Sequence, residues 1–202
     1  MKKLDGNVSA ELTIKKSKFI ANIFEVKREE EAINKISEIS KKYFDAKHNC
    51  YAYRVYENNQ IIEKFSDNGE PSGTAGSPML DILKGQNLIN IVAIVTRHFG
   101  GILLGTGGLV KAYSDTTKEA LQQAKIFEVE FGNIYSISLN YDEVKTFENI
   151  CDANKIKILS TKYEENVEII FEAIPEKEEI IQSKFYTNNI HLINEKILIE
   201  KM

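Results

Sequence analysis

Ile89-Asn90-Ile91-Val92-Ala93-Ile94-Val95-Thr96-Arg97-His98-Phe99-Gly100-Gly101-Ile102-Leu103-Leu104-Gly105-Thr106-Gly107-Gly108-Leu109-Val110-Lys111 carries the plan of the first half of the chain. Its opening, Ile89 to Thr96, is almost all β-branched and apolar. That is the composition of a strand buried on both faces, so this strand is expected at the centre of a sheet. The glycines that follow end the strand. From Leu109 to Lys125 the residues Leu109, Ala112, Tyr113, Thr116, Ala120 and Ala124 recur at helical spacing. The stretch therefore reads as strand, glycine-rich turn, helix.

Upstream, Ser9 to Ile14 alternates like a strand and Phe19 to Phe24 follows as a second. Residues Arg28 to Tyr43 read as a helix. Glu29, Glu30 and Glu31 open it and Lys41 and Lys42 close it, which suits the helix dipole at both ends. Cys50 to Tyr56 reads as a third strand. Ser77 and Pro78 resemble the cap and first turn of another helix.

Downstream, Gly132 is the expected boundary. Beyond it come a strand (Ile134 to Leu139), a helix (Asp142 to Asn154), strands at Lys157 to Tyr163 and Val167 to Ala173, a helix from Glu176 to Tyr186, and a last strand from Glu195 to Glu200. The order βαββαβ is the ferredoxin-like split motif. The sequence thus predicts an α+β protein with an N-terminal βα domain, residues 1–131, and a ferredoxin-like domain, residues 132–202.

A chain of 202 residues, 43% hydrophobic and 28% charged, can bury a core without disulfide or metal staples. No run approaches the roughly 20 apolar residues that span a bilayer, and no apolar region follows Lys2 and Lys3 as in a secretory signal. Membrane association is not expected. Cys50 and Cys151 are too far apart to form a disulfide framework, and a reducing cytoplasm is the expected compartment. Net charge is −4, with residues 1–130 at +1 and residues 131–202 at −5. A protein that held nucleic acid by bulk charge would be basic. Any such contact here must use a local patch.

Nine of the eleven glycines lie between Gly69 and Gly108, and they define two candidate segments. The first runs from Ser66 to Pro78. Its Glu70, Ser72 and Thr74, with bare amides between them, offer donors and acceptors to a phosphate or a base edge. Long ordered loops are often functional; the alternative is a structural crossover whose glycines only permit tight turns. The two carboxylates Asp67 and Glu70 read as a solvated turn.

The second segment is the glycine run itself. Gly100, Gly101, Gly105, Gly107 and Gly108 let main-chain N–H groups approach an anion at a helix N-terminus, with Arg97 and Lys111 nearby. It lacks the Gly-Lys-Ser/Thr ending of a P-loop and the dinucleotide spacing. Close strand–helix packing is the alternative.

His48 and Cys50 are two apart, but zinc needs three or four ligands and the chain has only two other histidines and one other cysteine. No metal and no cofactor are expected. Cys50 and Ala52 share a strand face and read as core, with His48 at the strand entrance beside the site. No nucleophile elbow supports a serine triad, so no catalytic residue is assigned.

Three segments carry a family resemblance: Ala46-Lys47-His48-Asn49-Cys50-Tyr51-Ala52-Tyr53, Asp67-Asn68-Gly69-Glu70-Pro71-Ser72-Gly73-Thr74-Ala75-Gly76, and Arg97 to Tyr113. Their order and spacing resemble the Impact family, in its bacterial YigZ-like branch. The chain departs from the family pattern at His98, where an aromatic is usual, and at Lys111, where arginine is usual; lysine keeps the charge but loses the bidentate fork.

The resemblance implies a first domain with the fold of a small-subunit ribosomal protein domain and of elongation factor G domain IV. It implies a second domain similar to elongation factor G domain V. Eukaryotic members regulate translation initiation by competing for an activator of a stress kinase. They carry a different second domain, so that partner does not transfer.

The resulting expectation is a non-enzymatic, translation-associated regulator that binds RNA or the ribosome through the glycine-rich face. One alternative is an enzyme acting on a small phosphorylated or nucleotide substrate at the same face. The other is a protein–protein adaptor working through the second domain.

Overall fold

Strand β6 (Ile91–His98) lies at the centre of a five-stranded antiparallel sheet of order β2-β3-β6-β4-β5, as its β-branched run predicts. Its neighbours are β3 (Ser17–Glu25) and β4 (His48–Glu57), with β2 (Asn7–Ile14) and β5 (Gln60–Ser66) at the edges. Ile91, Ala93 and Val95 face a core shared with α2 (Gly76–Gly85) and α3 (Thr106–Gln122). Val92 and Ile94 face the other core, with Ala32 and Ile39 of α1 (Glu29–Lys42). Burial on both faces is why the strand is apolar throughout.

In this computed structural model residues 1–185 and 189–200 are described. The chain divides into two compact units, Met1–Phe127 and Glu128–Met202. Strand β7 (Ile126–Leu139) runs straight through Gly132, so that glycine ends no element. Counted from the sequence, the first unit holds 18 basic and 15 acidic residues, net +3. The second holds 8 and 15, net −7.

The second unit contains α4 (Tyr141–Ala153), β8 (Lys157–Tyr163), β9 (Val167–Ala173), α5 (Pro175–Gln182) and β10 (Ile190–Glu200). Its strands pair antiparallel in the order β10-β7-β9-β8, the ferredoxin-like arrangement. Phe147 of α4 and Ile181 of α5 pack on Tyr135, Ile137 and Phe171 of the sheet. Pro175 takes the first helical position, where its missing N–H costs nothing. The expected end of that helix at Tyr186 lies outside the described residues.

Two strands lacked a readable pattern. β1 (Lys2–Leu4) has only three residues, and β5 is an edge strand interrupted by Glu63 and Lys64. The expected cap Ser77 sits inside the first turn of α2; Ala75 holds the cap position and its side chain cannot cap. No helix among the described residues is long and apolar enough to cross a membrane.

Candidate functional site

The sheet register sets the floor of the site. Arg97 on β6 pairs with Phe19 on β3 and with His48 on β4. All three project to the face that carries α2 and α3. The Arg97 guanidinium lies 5.5 Å from the Phe19 ring centroid and 5.3 Å from that of Phe99. Arg97 is 6% exposed, and its Nη1 donates to Glu70 Oε1 at 2.7 Å. It is therefore an internal cation matched to an internal carboxylate, and the expectation of a freely available charge at this position does not hold. Its Nε has no partner among the described residues.

Glu70 belongs to a buried polar chain, in contrast to the solvated turn expected for it. Its Oε1 also accepts from the Tyr113 hydroxyl of α3 at 2.8 Å. The Cys50 thiol donates to the Asp67 carbonyl at 3.0 Å, with the Tyr113 hydroxyl 3.4 Å away. Burial pushes the Cys50 thiol up to about 12. Burial, with Cys50 and Glu70 alongside, holds the Tyr113 phenol far above its ordinary range. At neutral pH Cys50 is a thiol, and no thiolate nucleophile stands here.

Asp67 corrects the reading of the first segment most. Its Oδ1 accepts from the N–H groups of Ala75 and Gly76, both at 2.9 Å, and its Oδ2 from that of Gly73 at 2.8 Å. The bare amides at the start of α2 do exist, but the chain's own carboxylate occupies them. The Thr74 hydroxyl is likewise used internally: Thr74 is buried and donates to the Pro71 carbonyl at 2.7 Å. Ser72 is exposed.

The second segment differs. α3 starts at Thr106, one turn earlier than its apolar spacing suggests, with Gly105 at its cap position and φ of +73°. No side chain caps it and no acidic residue lies in its first turn, so its leading N–H groups are open. A Cβ on Gly107 would meet nothing within 4 Å, while one on Gly108 would sit 3.0 Å from Leu104 Cβ. Gly101 has φ of +84° with open space around it. Gly100 is structural: a Cβ there would lie 2.0 Å from the backbone of Lys16. Lys111 is exposed one turn further along α3.

Both segments border one cleft of about 440 Å³. Of the residues singled out from sequence, His48, Glu70, Arg97 and Gly105 line it. Pro71, Phe99, Leu103, Leu104, Thr106 and Leu109 complete walls that are largely apolar, and Lys47 stands at the rim. Phe99 is 53% exposed and Leu103 81%. Sequence reasoning missed Lys47, Phe99 and Leu103. The available signal was bulky apolar side chains inside a glycine-rich loop, where burial gives them no purpose. Lys47 is exposed and forms no ion pair among the described residues.

His48 Nδ1 lies 2.9 Å from the Asn68 carbonyl, which can only accept, so Nδ1 carries the hydrogen. In the neutral ring Nε2 is then an acceptor. His98 lies on the α1 face, its ring edge-on to Tyr43, so the departure from the family pattern there leaves the cleft untouched. Among the described residues no three His, Cys, Asp or Glu side chains gather as metal ligands.

Residues 15–121 match the family model described as the Impact N-terminal domain. The chain is 41% identical over 169 residues to the IMPACT family member YvyE of Bacillus subtilis, spanning 84% of this chain and 76% of that protein. It is 37% identical over 153 residues to the IMPACT family member YigZ of Escherichia coli, spanning 75% and 74%. A crystal structure of a hypothetical protein superposes with a TM-score of 0.66 at 30% identity, covering 96% of this chain and 97% of the other. A matched domain of this extent, at the positions that build the cleft, makes the chain a member of the Impact family.

Proposed function

We propose that this protein is a translation-associated regulator that holds single-stranded RNA, free or on the ribosome, in the cleft of its first unit. The observation that carries the reading is the pairing of an exposed Phe99, seated on Arg97, with the uncapped start of α3 in one cleft. An exposed ring offers a stacking platform, worth about 1–3 kcal/mol per base. Open N–H groups at a helix N-terminus offer a phosphate site without needing a basic surface. Lys47 adds one uncompensated positive charge. The translational setting comes from the family resemblance, and the cleft supplies the chemistry.

Two phosphate contacts, one at α3 and one at Lys47, set a shallow salt dependence. The slope of log K against log salt is expected near −1.4, from about −0.7 per phosphate on single strands. The test is sedimentation with ribosomal subunits, together with anisotropy of a labelled single-stranded RNA, across a salt series. Gly107→Asp places a carboxylate beside the α3 amides where there is room for it, and an acidic residue there favours the helix. Binding should be lost while thermal stability holds or rises. Absence of RNA and ribosome binding at low salt, or full binding by Gly107→Asp, rejects the proposal.

A further inference from the structure

The polar groups of the cleft are sorted by kind. At the α3 end every group is a donor: the leading N–H groups and the Lys47 ammonium. At the sheet end the available groups are acceptors. His48 Nδ1–H is committed to the Asn68 carbonyl, which leaves Nε2. Glu70 Oε1 is committed to Arg97 and Tyr113, which leaves Oε2. Between the two ends lie the flat, apolar surfaces of Phe99, Pro71 and Leu103. A ligand that satisfies all three zones has an anion at one end, a planar body, and adjacent hydrogen-bond donors at the other end.

Among RNA bases, guanine meets that description. Its N1–H and N2 amino group are neighbouring donors on one edge. Uracil has a single N3–H flanked by two carbonyl oxygens, which would face the His48 and Glu70 acceptors. Adenine and cytosine each offer one amino group beside an acceptor nitrogen. A cleft of about 440 Å³ is sized for one nucleotide and excludes a duplex. We propose that the cleft reads an unpaired guanine, its N1–H and N2 amino group donating to His48 and Glu70 and its phosphate lying at the start of α3. This rests on the RNA-binding reading above and adds base selectivity to it.

Guanosine and inosine differ only by the 2-amino group and stack alike, so their comparison isolates the hydrogen bond. Three dye-labelled uridine decamers, with guanosine, inosine or uridine at one central position, are titrated with the full chain by fluorescence anisotropy. Guanosine is expected to bind about tenfold more tightly than inosine, the usual consequence of a lost hydrogen bond to a charged acceptor, with uridine weakest. Equal affinities for guanosine and inosine overturn the base assignment and leave RNA binding standing. No binding to any decamer overturns both. His48→Phe, which keeps a flat ring but removes the acceptor, is expected to cut the guanosine preference to below about threefold; an undiminished preference removes His48 from the reading. If that variant does not fold, the guanosine–inosine comparison on the unaltered protein still decides.

Discussion

Asp67→Ala tests whether the first glycine segment is a self-satisfied structure. The wild-type carboxylate accepts three main-chain N–H bonds between 2.8 and 2.9 Å, two of them at the start of α2. Removing a helix cap costs typically about 1 kcal/mol. The two further amides, left without an acceptor, add about 1 kcal/mol each. The expected loss is therefore about 3 kcal/mol. In a unit of this size that corresponds to a fall of roughly 12 °C in Tm. Asp67→Asn keeps an oxygen for Ala75 and Gly76 and gives up only the Gly73 bond, so it should cost about 1 kcal/mol. Urea unfolding followed by circular dichroism and tyrosine fluorescence measures both, since the chain has no tryptophan. A loss below 1 kcal/mol for Asp67→Ala refutes the internal-cap reading. So does an Asp67→Asn variant as damaged as Asp67→Ala, because the graded response is what three separate bonds require.

Gly100→Ala should destabilise the first unit by about 3 kcal/mol or more, since its Cβ would sit 2.0 Å from Lys16 backbone atoms. Gly107→Ala should be neutral or gain up to about 1 kcal/mol; equal effects in urea unfolding would contradict the different surroundings of the two glycines. The thiols of Cys50 and Cys151 are both pushed up from 9.0 to about 12, chiefly by burial. Folded protein therefore binds more protons than unfolded protein between those values. Stability should be fully present below pH 9 and fall above it by up to about 1.4 kcal/mol per pH unit per thiol. Alkaline denaturation of a Cys50→Ala, Cys151→Ala double variant should show a shallower fall, and an unchanged slope would count against this cause.

The two halves of the chain were legible for different reasons. In the second unit the strand and helix periods alternate cleanly, Pro175 marks a helix start, and Asn140 with Glu143 forms a capping pair at α4. Local signals there agree with the long-range pairing. In the first unit β6 was legible because burial on both faces leaves no polar position along it. β5 was not, because an edge strand can carry Glu63 and Lys64, which pair with Arg54 and Lys84 and with Glu29. The glycine segments were legible as ordered loops. Which of their amides were free was not, since the deciding residue, Asp67, folds back on amides six to nine positions later. A carboxylate in a loop reads the same whether it faces water or caps a helix.

Arg97 shows what that ambiguity does to a functional reading. In sequence it is a cation beside glycines, and long-range attraction of an anion follows. In the fold it sits between two rings and bonds a carboxylate at 2.7 Å, so its charge is cancelled at a distance. Its remaining contribution is mechanical. It fills the space beneath Phe99 and fixes that ring at the mouth of the cleft. Attraction beyond a Debye length of about 8 Å is then left to Lys47 and Lys111 on a chain whose net charge is −4. Affinity must come from short-range stacking and main-chain bonding. That is why Phe99→Ala should weaken RNA binding about ten- to a hundredfold at every salt concentration, whereas Lys47→Ala should weaken it mainly at low salt. The opposite pattern, a salt-sensitive Phe99 and a salt-insensitive Lys47, would return the site to simple charge attraction.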